Sequence, residues 1–224
     1  CNVPGYATES VAQTTFALLL ELTHHIGEYD RTVKEGEWTR SSAFSLWRES
    51  LVGLAGKTLL VVGLGRIGHR VAEIATAFGM KVICTSLLGH EHGDYPTLPL
   101  YEGLSQADVV TLHCPLRPET TGMVNRAWLE QMKPTAFLIN MSRGKMVNDL
   151  DLAQALIDGR IAGYAADVLS QEPPSADHPL LHAPNCILSP HIAWAAKESR
   201  QKLWMICSEN IRAFLQGTPQ NVVG

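Results

Sequence analysis

Apolar positions recur along the chain in two rhythms, and the change between them falls near Gly56. Upstream, Val11, Thr15, Leu18, Leu19, Leu22 and Ile26 return to one side at helical spacing, and Ala12 and Phe16 widen the stripe. This predicts a helix over 9–28, opened by Ser10 and Gln13 at capping-box spacing. A polar stretch follows that carries Gly36, Trp38 and Trp47. Two indoles in an irregular segment need a surface to pack on, either the domain's own flank or a second subunit. From Thr58 onward the pattern becomes short, mainly apolar runs at 58–62, 81–85, 109–114, 136–140, 161–166 and 186–189, the first of them without charge. Runs of this kind are strands covered on both faces, as in a parallel sheet. Helical stretches lie between them at 67–78, 101–105, 126–132 and 149–156, the last capped by Asn148 and closed at Gly159. A long amphipathic helix covers 196–215. The alternation defines an α/β fold with helices on both faces of a mostly parallel sheet.

The first of these strands runs directly into Gly63-Leu64-Gly65-Arg66-Ile67-Gly68. Gly63 permits a tight turn, Gly65 lets backbone approach a phosphate, and Gly68 lets helix pack on strand. The freed N–H groups at the helix start then face negative charge. A bare glycine motif is weak. This one follows a strand, opens a helix and heads a repeating strand–helix series, which makes a Rossmann-type doubly wound sheet binding NAD(H) or NADP(H) the better reading. The cofactor candidates are Gly63, Gly65, Arg66, Ile67 and Gly68. An acid that would bond the adenosine ribose is missing after the second strand, which ends Cys84-Thr85-Ser86-Leu87-Leu88, and the first carboxylate afterwards is Glu91. Its absence removes repulsion of a 2'-phosphate, yet no arginine stands in that stretch to attract one. Ser86 can bond either ribose form, and the preference stays open with a slight lean to NAD. The chain thus divides into a linking helix and packing or dimerisation segment (1–50), the dinucleotide core (51–193) and a closing helix and tail (194–224).

Composition narrows the field. With 224 residues, 46% of them apolar and 18% charged, the chain can fill a core and is neither disordered nor fibrous. Eighteen basic residues are scattered among 22 acidic ones for a net charge of -4, with no block that would track nucleic acid. No run approaches the length of a membrane span. Five widely spaced cysteines, odd in number and mostly inside apolar runs, read as buried free thiols of a reducing, cytoplasmic compartment. The start, lacking a methionine and a signal pattern, reads as joining a protein partway. His90 and His92 with Glu91 and Asp94 raise a metal site, but no strand or helix sets their spacing, and a solvated loop without metal is preferred. His24 and His25 sit on a helix and need no function. His113, at a strand end before Cys114, belongs near the cofactor.

Six stretches in order, VPGYATESVAQTTFALLLEL, LVVGLGRIG, VVTLHCPL, FLINMSRGKMVN, AGYAADVLSQEPP and LSPHIAWAAKES, cover nearly the whole chain. With them the chain resembles the nucleotide-binding domain of the NAD-dependent D-isomer-specific 2-hydroxyacid dehydrogenases, nearest the glycerate dehydrogenase or hydroxypyruvate reductase branch. The resemblance implies that Arg143 in SRG binds substrate, that His191 in SPH is the catalytic histidine, and that Glu172 in QEP pairs with it. It implies that Asp167 orients the nicotinamide and that Cys114, Pro115 and Thr121 wall the cofactor. Trp194, three residues past His191, would border a small substrate. These roles suit the chemistry. Reduction of a 2-oxo acid builds charge on the C2 oxygen, where a histidinium donates a proton, a carboxylate orients it, and an arginine pairs the substrate carboxylate. Read without the motif, each residue has an ordinary alternative: Arg143 capping a strand end, Asp167 a turn, Glu172 an exposed loop acid, His191 a structural histidine.

The implied activity is hydride transfer between NAD(P)H and a small 2-oxo or D-2-hydroxy acid, with hydroxypyruvate or glyoxylate foremost. Formate and phosphoglycerate dehydrogenases are more distant likenesses. An NAD(H)-sensing corepressor or scaffold on the same fold is the alternative, and an adenosylhomocysteine hydrolase-like use of NAD is a remote one lacking the ordered SRG, EP and PH series. The family resemblance further implies a homodimer through the first helix and the Trp38–Trp47 segment. It also implies a substrate domain largely absent from this chain, toward which the last helix would return, so that the chain alone would bind dinucleotide and turn over poorly.

Overall fold

The structure, a computed structural model, describes residues 1–48, 50–87 and 94–223. The first apolar stripe is helical, but it breaks where two histidines meet. Helix α1 spans Thr8–His24 and ends because His25 adopts left-handed geometry (φ 51°), with its N–H bonded to the Glu21 carbonyl at 2.9 Å. The chain restarts as α2, Ile26–Lys34. The single helix expected over 9–28 is therefore two, with a histidine supplying the αL break that glycine more often supplies. The expected capping box does not form. Ala7 is the N-cap, and the Ser10 hydroxyl turns back to donate to the Ala7 carbonyl at 3.1 Å. A short α3, Glu37–Arg40, stands inside the stretch expected to be irregular.

The apolar runs become strands β1 (Thr58–Val62), β2 (Lys81–Thr85), β3 (Val109–Leu112), β4 (Phe137–Asn140), β5 (Gly163–Ala166) and β6 (Cys186–Leu188). Among the described residues they form one six-stranded sheet in the order β2-β1-β3-β4-β5-β6, parallel throughout. Between and after them run α4 (Arg66–Ala77), α5 (Leu100–Gln106), α6 (Arg126–Leu129), α7 (Asp149–Ile157) and α8 (Lys197–Leu215). Asn148 caps α7 as its position predicts, accepting from the Asp151 N–H at 3.2 Å.

Alternate strand residues serve opposite layers, which is why the runs are mainly apolar. Leu60, Val110, Leu138 and Tyr164 pack with Leu104 of α5, Trp128 of α6 and Leu152 and Leu156 of α7. Leu59, Val61, Ile139 and Ala165 pack with Phe16, Leu19 and Leu22 of α1 and Val71, Ala72 and Ala75 of α4. Each such side chain taken fully out of water contributes about 1.5–3 kcal/mol before conformational entropy is counted.

The strand order reverses between β1 and β3, because α4 carries the chain to β2 on one side and the next strand pairs on the other. A doubly wound sheet has its ligand crevice at the carboxyl ends of the strands at such a point. Every motif loop singled out in the sequence leaves from that same edge. Gly63 (φ +94°) passes so near the β3 loop that a Cβ there would lie 2.7 Å from the Cys114 nitrogen, and a Cβ on Gly68 would lie 2.2 Å from the Gly63 carbonyl oxygen. At Gly65 a Cβ would meet nothing within 4 Å, so that position faces open space.

Not everything apolar is covered. Trp38 and Trp47 are 46% and 70% exposed, so the domain's own flank does not receive them. Helix α8 buries chiefly Ser199 and Asn210 and leaves Trp204, Met205 and Phe214 exposed. It is tied to the N-terminal segment by polar bonds, Ser199 to Ser10 at 2.8 Å and Asn210 to the Asn2 carbonyl at 2.9 Å. The five cysteines are unpaired, and only Cys84 and Cys114 are fully buried; Cys186 and Cys207 are half-buried and Cys1 is exposed. No helix among the described residues is long and apolar enough to cross a membrane.

Gly63→Ala is expected to lose about 2–4 kcal/mol, from positive-φ strain together with overpacking against Cys114. Thermal unfolding should show a drop of at least about 5 °C; an unchanged melting temperature would mean that the β1–β3 approach is looser than described.

Candidate active site

The glycine turn and the β3 loop enclose a cavity of about 250 Å³ lined by Gly63, Gly65, Ser86, His113, Cys114, Pro115 and Arg117 among others. Helix α4 starts beside it, with Gly65 as N-cap and no side chain capping the first turn. Its first N–H groups lack intrahelical partners, and the open space at Gly65 is the room a pyrophosphate needs. The residues therefore fit a dinucleotide. Arg66 and Ile67 are not among the residues lining this cavity. Arg66 instead lines a separate cavity with Tyr6, Glu198 and Lys202, and Ile67 packs into the α1–α4 layer.

The walls of the 250 Å³ cavity are largely uncharged. Burial pushes the Cys114 thiol up to about 11, so it remains a neutral wall and no nucleophile. Burial drives His113 down to about 3, and neither ring nitrogen has a partner among the described residues. Thr120, not Thr121, lines the cavity; the Thr121 hydroxyl donates to the Arg117 carbonyl at 2.9 Å. The stretch from Cys84 to Glu91 itself holds no arginine, but one arrives from elsewhere in the chain. Arg117, some thirty residues beyond Ser86 in sequence, lines the same cavity because β1 separates β2 from β3 by only one strand.

At the end of β4, Asn140 is fully buried and shapes the turn that carries Arg143. Its side chain accepts from the Ser142 N–H and donates to the Arg143 carbonyl, each at 3.0 Å. The Ser142 hydroxyl donates to the Cys114 carbonyl and so links this turn to the cofactor wall. Arg143 extends into solvent with one N–H on the Ser142 carbonyl at 2.7 Å. Gly144 lies flat against the next loop, where a Cβ would fall 1.8 Å from the Leu169 carbonyl carbon.

Glu172 and His191 meet. Glu172 Oε2 is 2.7 Å from His191 Nδ1, and its other oxygen accepts from the Leu169 N–H at 2.8 Å. The pair borders a cavity of about 360 Å³ together with Asp167, Pro173 and Ser189. Partial burial works to raise the Glu172 carboxyl. The bond to His191, the Leu169 N–H and the charges of His191 and Arg143 outweigh it and hold the group below the usual range. The carboxylate is thus anionic at neutral pH. With Nδ1 committed to it, Nε2 is the nitrogen left for a reacting group.

His191 sits at φ 53°, an uncommon conformation for a side chain of its size, and Asp167 holds it there. The buried Asp167 carboxylate accepts from the Ser189 hydroxyl at 2.5 Å and from the Ile192 and Ala193 N–H groups at 2.9 and 2.8 Å. The loop bearing Glu172 is fastened from beneath by a second network. Ser170 donates to Asp149 at the start of α7, and His178, only 5% exposed, contacts the same carboxylate at 3.2 Å. Asn140, Arg117 and the Asp149–Ser170–His178 network were missed in the sequence, where the only signals were a polar residue ending a strand and a histidine before a proline. Trp194 is exposed just past His191 and is not among the residues lining that cavity. The candidate metal histidines His90 and His92, with Glu91, lie outside the described residues, while Asp94 bonds His69 at 3.1 Å. Among the described residues no metal-ligating group of three or more is found.

A doubly wound sheet with a glycine turn at its switch point, and an arginine and a carboxylate–histidine pair on neighbouring strand ends, defines a dinucleotide-dependent oxidoreductase domain. Residues 16–193 match the D-isomer specific 2-hydroxyacid dehydrogenase NAD binding domain, and the chain belongs to that family of NAD(P)-dependent enzymes. It is 44% identical over 227 residues to a hydroxypyruvate reductase of Blautia hydrogenotrophica, covering 99% of this chain and 70% of that protein. Among solved structures it is similar to an acyclic imino acid reductase in complex with NADPH and D-Arg, at TM-score 0.89 and 32% identity, over 100% of this chain and 70% of that one. It is also similar to the D-lactate dehydrogenase of Aquifex aeolicus complexed with NAD and lactic acid, at TM-score 0.86 and 32% identity, over 96% and 69%.

His178→Ala should cost about 2 kcal/mol by leaving buried partners unsatisfied. It should also lower turnover through a loosened Glu172 loop, while NADH affinity, set across the sheet, stays near wild type. Melting curves and NADH fluorescence titration check both; loss of dinucleotide binding would contradict this division of the site.

Proposed function

We propose that the protein reduces a small 2-oxo acid, hydroxypyruvate or glyoxylate foremost, to the D-2-hydroxy acid, with Arg143, Glu172 and His191 as its catalytic set. The observation that carries this is the 2.7 Å bond between Glu172 and His191 on the same sheet edge as the glycine turn. The dinucleotide supplies the hydride. Arg143 pairs with the substrate carboxylate through two of its five N–H donors. His191 donates its Nε2 proton to the C2 oxygen as charge grows there, and Glu172 keeps the ring oriented and the imidazolium stabilised. In the oxidative direction the neutral ring accepts the hydroxyl proton.

The remaining residues position. Gly63, Gly65, Arg66, Ile67 and Gly68 receive the pyrophosphate through backbone N–H groups, Ser86 meets the ribose, and Cys114, Pro115 and Thr121 form or brace the wall. Asp167 orients the nicotinamide with the acceptor capacity its three loop donors leave. Trp194 borders the substrate and keeps it small. The name of the Blautia hydrogenotrophica relative supports hydroxypyruvate, and the two solved neighbours, one with NADPH and one with NAD, support the dinucleotide. A homodimer is supported by the uncovered Trp38, Phe44 and Trp47, and a reducing, cytoplasmic setting by five unpaired thiols.

His191→Gln should lower kcat for hydroxypyruvate reduction by about 10²–10⁴-fold with NADH or NADPH affinity retained. Full turnover by this variant would overturn the assignment. The pH dependence follows from Glu172, whose carboxyl is depressed in the folded chain, so its contribution is present above the ordinary value of 4.5 and lost only as pH falls through the lower folded value. The acid limb of the kcat profile should accordingly show no loss from Glu172 at 4.5, and Glu172→Gln should lower the whole plateau.

A further inference from the structure

The ribose end of the 250 Å³ cavity combines three features that the sequence scatters. Strand β2 ends at Thr85 and is followed by Ser86 and Leu87, and among the described residues no carboxylate lines the cavity to repel a 2'-phosphate or accept from paired ribose hydroxyls. Among the described residues Arg117 is the one that brings a permanent charge to its lining. Its backbone is locked: the N–H bonds Thr120 Oγ1 at 2.7 Å, and the carbonyl accepts from the Thr120 and Thr121 hydroxyls at 3.2 and 2.9 Å. Its guanidinium has no carboxylate or carbonyl partner among the described residues, which leaves the planar fork of donors available.

We infer that the pocket formed by Ser86 and Arg117 takes the 2'-phosphate of a phosphorylated dinucleotide, so that the protein prefers NADPH to NADH. The inference rests on the reading of the glycine turn as a dinucleotide site and decides which dinucleotide that turn receives. A phosphate offers the guanidinium two acceptor oxygens and opposite charge, and the Ser86 hydroxyl supplies a further donor. The 2'-hydroxyl of NADH offers the same fork a single neutral oxygen. The neighbouring His113 ring is uncharged, so it neither competes for the phosphate nor adds to the attraction. Because the arginine is exposed, the discrimination is screened by salt.

The experiment measures Kd for NADPH and NADH by intrinsic-fluorescence titration of the full chain, at low and high salt, with 2',5'-ADP and 5'-AMP as competitors that carry no nicotinamide. Wild type should bind NADPH at least about tenfold tighter than NADH, as expected for a charge-assisted pair. It should also bind 2',5'-ADP better than 5'-AMP, with both ratios shrinking as salt rises. Arg117→Ala should bring the NADPH to NADH ratio close to one, and Arg117→Lys should restore part of it. A wild type that binds both dinucleotides equally, or NADH more tightly, overturns the inference while leaving the dinucleotide site intact. A preference that survives in Arg117→Ala overturns it as well. Failure of wild type to bind either dinucleotide would defeat the glycine-turn reading and the inference with it.

Discussion

The site depends on how closely Gly63 passes the backbone of Cys114. A Cβ at that position would be 2.7 Å from the Cys114 nitrogen, so the turn after β1 and the loop after β3 touch only because the side chain is missing. From that contact the loops on the carboxyl edge are joined one to the next. Cys114 accepts from Ser142, and Asn140 folds the Ser142–Arg143 turn. Gly144 lies against Leu169, and the Leu169 N–H holds Glu172, which holds His191. A continuous run of contacts therefore connects the glycine turn to the carboxylate–histidine pair. Parallel strands about 4.8 Å apart set the spacing of its links.

Charge is distributed along that edge with a purpose that burial enforces. In the middle, His113 and Cys114 are too deeply buried to ionise and present a neutral wall. Toward one end, the ionised Glu172 meets His191 in a second cavity, and the charge of Arg143 acts on the same carboxylate. Toward the other, Arg117 and Ser86 line the first cavity together. A neutral stretch between two charged ends suits a ligand that is aromatic along its body and anionic at separate points.

His191 shows how a fold supports an unfavourable local conformation. Left-handed geometry is uncommon for histidine, and it follows here from a buried aspartate that gathers the hydroxyl and N–H groups on either side of it. Asp167 is thus first of all a builder of the loop, and any contact with nicotinamide is made by a group already held rigid. The same principle operates under Glu172, where Asp149, Ser170 and His178 fasten the loop from below.

Much of this was legible along the chain. The runs at 58–62, without charge, and 81–85, charged only at its exposed first residue Lys81, coincide with β1 and β2, because strands buried on both faces have no polar alternation and depend little on their neighbours for recognition. The glycine turn and the Asn148 cap were visible because each uses a residue type that local chemistry requires, whereas Arg143, Glu172 and His191 stood out only through the motifs shared with the family. What periodicity could not reveal was any contact between residues far apart in sequence. The break at His25 lies inside an unbroken apolar stripe, since a stripe records which side is buried and not the backbone angle that interrupts it. Arg117 reads as a loop cation until the strand order β2-β1-β3 brings it beside Ser86. The Asp149–Ser170–His178 network likewise joins a helix start to a loop some twenty residues away. Local pattern was sufficient for the elements and the glycine turn, and shared motifs pointed to the chemistry-bearing residues; their convergence needed the sheet order, because only the pairing of strands decides which loop ends become neighbours.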